Sequence, residues 1–104
     1  MIRRSNQHAT HETYFYDGIL YIWHHEPQNE YKERHISIQS AIHMIHRDDS
    51  LVIEQDEFEP PRYKYIGHGA AGIITVIMAD DHIVTAWNSS SDEVKAWLRA
   101  RRRK

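Results

Sequence analysis

Residues 62–88 read RYKYIG, HGAAG, IITVIMA, DDH and IVTAWN. Three runs rich in β-branched and aromatic residues, separated by a Gly-rich and an Asp-Asp turn signal, predict three consecutive antiparallel strands. No other stretch of the 104 residues is as apolar, so the rest of the chain must be organised around this meander. Two-fold alternation places Arg62, Lys64 and Ile66 on one face of the first strand and Tyr63 and Tyr65 on the other. The same rule groups Ile83, Thr85 and Trp87 in the last strand, opposite Val84, Ala86 and Asn88. Periodicity leaves open which face is core.

Upstream, TYFY and ILYIW flank Asp17-Gly18, a pair suited to a two-residue hairpin turn whose central positions both need positive φ. Strands are expected at 13–16 and 19–23. Residues 1–12 are polar and are expected to form a loose arm. Pro27 suits the first turn of a helix, where its missing N–H costs nothing. The polar run QNEYKER then predicts a short helix anchored by Tyr31. Ser37 reads as a fresh N-cap, because Ile38, Ala41, Ile42 and Ile45 follow at the spacing of one helical face. His35, at the break between the two pieces, is expected in a left-handed or similar conformation if the first piece ends in a Schellman-type cap. LVIEQ is a fourth strand, ended by DEFEPP, whose prolines forbid ladder pairing. Ser90 and Glu93 form a capping box before a stripe of Val94, Trp97 and Leu98. The fold class predicted is α+β: an N-terminal hairpin and a broken helix packed on a curved antiparallel sheet, with a C-terminal helix, in a single domain spanning 1–104.

Composition narrows the chemistry. There is no cysteine, which removes disulfides, thiolate nucleophiles and thiolate metal sites. The net charge of −2 hides an asymmetry: Asp48, Asp49, Glu54, Asp56, Glu57 and Glu59 crowd the middle, while Arg99, Arg101, Arg102, Arg103 and Lys104 make a basic end. No apolar run is long enough to span a bilayer, so no membrane is expected as a partner. The nine histidines raise a metal-binding reading, with His43 and His46 at i, i+3, but a third ligand at fixed spacing is lacking and no metal is assigned. GHGAAG joins strand to strand without a Lys-Ser/Thr ending, so it is not a phosphate loop of the familiar kinds.

The phrase ERHISIQSAIHMI, followed by RYKYIG, ITVIMADD and HIVTAW, resembles the small toxin ribonucleases of the RelE, BrnT and colicin type over about residues 27–88. It is similar to short domains in which an ER-G-IS phrase precedes an amphipathic helix; here His35 stands where that group has glycine. The resemblance implies a metal-independent endoribonuclease toxin needing no cofactor, acting in the cytoplasm on tRNA or mRNA and neutralised by a cognate antitoxin or immunity protein. Any export belongs to a larger system. It also implies catalytic side chains on the exposed sheet face and on the helix beside it.

RNA cleavage of this kind needs a base for the ribose 2′-hydroxyl, an acid for the leaving oxygen, and cations around the phosphate. Candidates for catalysis are His24, His25, Arg62, Lys64 and Thr85. Trp87, His68, Arg101 and Arg102 are candidates for holding RNA, the indole by stacking a base. Arg62 and Lys64 serve equally as a solvated strand face paired with Glu54 or Glu59, Thr85 as an ordinary strand residue, and Trp87 as core. The alternative from another class is a non-catalytic binding module, of immunity or adaptor type, presenting the acidic 54–59 segment to a basic partner.

Overall fold

The computed structural model describes residues 10–102. Six strands form one mixed sheet: β1 (Thr10–Tyr16), β2 (Ile19–His25), β3 (Leu51–Gln55), β4 (Arg62–Gly69), β5 (Gly72–Ala79) and β6 (His82–Asn88), in the order β1-β2-β6-β5-β4-β3. A 3-10 turn at Pro27–Asn29 leads into α1 (Glu30–Glu33). Then come α2 (Ile38–Ile45) and, at the end, α3 (Ser91–Arg102). The fold is α+β.

Local chemistry explains most boundaries. Asp17 and Gly18 both take positive φ, 52° and 84°, closing the β1–β2 hairpin. Ser37 caps α2 by accepting from the Ser40 backbone N–H at 3.0 Å. β3 covers LVIEQ as expected, and the Glu59–Pro60 bond after it is cis.

Four expectations are corrected. The strand β1 begins at Thr10, so residues 10–12 belong to the hairpin, and the remainder of the expected arm, 1–9, lies outside the described residues. The sheet is not wholly antiparallel: β2 pairs in parallel with β6, Ile22 opposite His82 and Trp23 opposite Ile83. The hairpin is therefore built into the sheet rather than packed on it. Tyr31 is 80% exposed, and the buried side chain of α1 is Glu33, at 1%. His35 has no positive φ; α1 ends at Arg34 in the right-handed region, so no left-handed cap is needed.

The core lies between α2 and one face of the sheet. Ile38, Ala41, Ile42 and Met44 pack on Tyr21, Trp23, Ile74, Val76, Met78, Ile83 and Ala86, with Tyr65 beside them. A bulge in β6 decides this arrangement. Met78 pairs with Ile83 but Ile77 with Thr85, so Val84 is the extra residue. Ile83 thereby joins Ala86 on the core face, and only Thr85 and Trp87 share the opposite one. The opposite face also carries Lys64, Ile66, Thr75 and Ile77, as the register of β4 with β5 requires. Over part of it lies α3, pinned by the Trp97 Nε1–H donated to the Asp49 carbonyl at 2.7 Å.

Candidate active site

Two carboxylates, one buried and one partly buried, organise the end of β6. The first is Glu33. β2 pairs with β6 only as far as Trp23 and Ile83, and α1 packs against β6. Oε1 of Glu33 accepts from His25 Nδ1 at 3.0 Å and Oε2 from the Thr85 hydroxyl at 2.7 Å. A neutral imidazole that donates through Nδ1 leaves a lone pair on Nε2, the form required of a general base. The ring is tilted by 32° against Trp23, centroids 4.3 Å apart. Nε2 is 3.5 Å from Oε2 of Glu12, a half-exposed side chain on β1. Glu12, His25 and Glu33 border a cavity of about 230 Å³ that also takes in Glu30, Arg34 and Ile36.

The second carboxylate is Glu93. The capping box holds: Ser90 N–H donates to Oε1 at 2.8 Å and Glu93 N–H to the Ser90 hydroxyl at 3.2 Å. The same carboxylate does more than cap. Oε1 accepts from Trp87 Nε1 at 3.0 Å and from the Thr75 hydroxyl at 3.2 Å, and Oε2 meets Lys64 Nζ at 3.0 Å. Thr75 has one proton to give, so the Ser89 hydroxyl, 2.7 Å away, is the donor to it. Partial burial raises the pKa of Glu93. The Ser90 N–H, Lys64 and Trp87 together outweigh that and bring it down to about 2.

Between these centres stands the Trp87 indole. Lys32 Nζ lies 5.0 Å from its centroid and Lys64 Nζ 6.0 Å, both within cation–π range. Lys64 is neutralised by Glu93, not by Glu54 or Glu59, whereas Lys32 makes no ion pair among the described residues. Both ammonium groups lie over the ring, so a base that stacks on the indole must displace one of them toward its phosphate.

Of the residues singled out from sequence, the structure brings together His25, Lys64, Thr85 and Trp87. It does not bring in the rest. His24 is exposed and stacks with His82 at 6.1 Å. The Arg62 guanidinium lies over Phe58 at 4.1 Å. His68 belongs to β4 rather than to the turn, edge-on to Trp97 at 5.0 Å. Arg101 covers the other side of the same indole at 4.8 Å, and Arg102 is exposed near the end of α3. Glu33, Lys32 and the wider role of Glu93 were missed. Glu33 sits inside the ERHIS phrase, and Glu93 was legible only as a cap.

Among the described residues no three His, Asp or Glu side chains gather as a metal site, and no helix is long and apolar enough to cross a membrane. Comparison with protein-family models, curated proteins and solved structures gave no match for this chain.

Proposed function

We propose that the chain is a metal-independent endoribonuclease of the toxin type, working at the end of β6 and held in check by a cognate protein. The observation that carries this reading is the bridge made by Glu33 between His25 Nδ1 and Thr85 Oγ1, beside the Lys32–Trp87–Lys64 platform. Glu33 fixes the imidazole tautomer and is a positioning residue. A nucleobase stacks on Trp87, and Lys32 meets the phosphate. Nε2 of His25, buried and without a hydrogen-bond partner in the free protein, takes the 2′-hydroxyl proton once the site opens around it. The 2′ oxygen then bonds to phosphorus, the P–O5′ bond breaks and the 5′ oxygen is protonated from water, leaving a 2′,3′-cyclic phosphate.

The Lys64–Glu93 ion pair favours the alternative, a binding module without catalysis, because it removes one cation from phosphate binding. Incubating purified protein with RNA in excess chelator separates the two. The nuclease reading expects fragments ending in cyclic phosphate, with His25→Ala slowing cleavage by about 100-fold or more. RNA that stays intact with the unmodified protein overturns it.

A further inference from the structure

We propose that β3 is a docking edge, to which an extended basic segment of a partner protein adds as a further strand. β3 is the last strand of the sheet, and its one ladder runs to β4 from Leu51–Ile66 to Gln55–Arg62 without a register shift. Exposed edges are normally blunted by proline, a bulge or lysine. LVIEQ has none of these. Instead it leaves apolar side chains in water on both faces, Val52 50% exposed and Ile53 39%, with Phe58 at 37% just beyond the strand.

Charge selects the occupant. Glu54, Asp56, Glu57 and Glu59, four carboxylates in six residues, are all exposed along and beyond the strand end. Among them stands Arg62, which lies over Phe58 and has no ion pair among the described residues. A second copy pairing through its own β3 would bring further carboxylates and no cation, since LVIEQ carries none, and a nucleic-acid backbone would meet repulsion from the carboxylates. A strand alternating Lys or Arg with aliphatic residues satisfies the open backbone ladder, covers Val52 or Ile53, and neutralises the carboxylates. The other end strand, β1, differs: Glu12 is its one acidic residue, and it is engaged near His25. The inference stands whether or not the chain cleaves RNA, since β3 shares no residue with the Glu33 site.

The test uses a short fluorescent peptide alternating lysine with valine or isoleucine, and a glutamate counterpart with the same apolar residues. Both are titrated into the full chain and followed by anisotropy and by amide NMR shifts. Saturable binding of the lysine peptide is expected, with shifts at 51–55 and weakening of about ten-fold or more in the Glu54→Lys/Glu57→Lys variant. Equal binding of the glutamate peptide, shifts confined to other strands, or no binding at about 1 mM overturns the proposal. Circular dichroism of the variant confirms that it is folded.

Discussion

On the α2 side of the sheet, Ile42, Met44, Ala86 and Val76 are sealed from water and contribute little beyond shape and apolar area. At the end of β6 and on the α3 side, the groups removed from water include Glu33, Thr75 and much of Glu93, each held by named donors. Apolar burial is non-directional and tolerates exchange of one aliphatic residue for another of like volume. A buried carboxylate does not, because every lone pair must face a donor or its desolvation goes uncompensated. The first face holds the fold together; the second fixes positions for chemistry.

Substitutions on the two faces test that contrast. The largest effect is expected at Ile42→Ala, which opens a cavity at a fully buried site and should cost about 2–5 kcal/mol in denaturant unfolding. If the loss is no greater than that of a surface substitution, the α2 face is not the core. Next comes Glu33→Ala. It strips the acceptor from His25 and Thr85, and a loss of about 1–3 kcal/mol is expected. The same variant should shift the imidazole NMR signals of His25, which a purely packing role for Glu33 would leave in place.

The smallest effect at neutral pH is expected for Glu93→Gln, about 1 kcal/mol, and its diagnostic is pH. Folding lowers the pKa of Glu93, so the unfolded chain binds the proton more readily than the native one does. Stability from this group is complete above about 4.5 and is lost as pH falls toward 2. Thermal unfolding of the unmodified protein should decline across that window, and the variant should lack that part of the decline. Parallel pH profiles would remove Glu93 from its assigned place.

Elements specified by neighbouring residues were legible in the sequence. Asp17-Gly18 dictates its turn, Ser37 and Ser90 their helix starts, and LVIEQ its own limits. What was not legible depends on distant partners. Nothing near Ile22 announces that it will lie beside His82. The bulge at Val84 adds one residue and turns Ile83 to the other face, so strict alternation misassigned it. A four-residue helix has no period to read, and Tyr31 was taken for the anchor that Glu33 provides. The candidate site suffered most: His25, Thr85 and Trp87 were found by residue type, but the carboxylates that position them come from α1 and α3.

The pairing of β2 with β6 has a kinetic consequence. Until His82 and Ile83 have left the ribosome, the inner edge of the first hairpin has no neighbour, and closing the roughly sixty-residue span between them carries an entropic cost that local contacts do not repay. Contacts of Tyr14, Tyr16 and Tyr21 with His43 and His46 can form earlier, but the inner edge of the hairpin stays unpaired until β6 arrives.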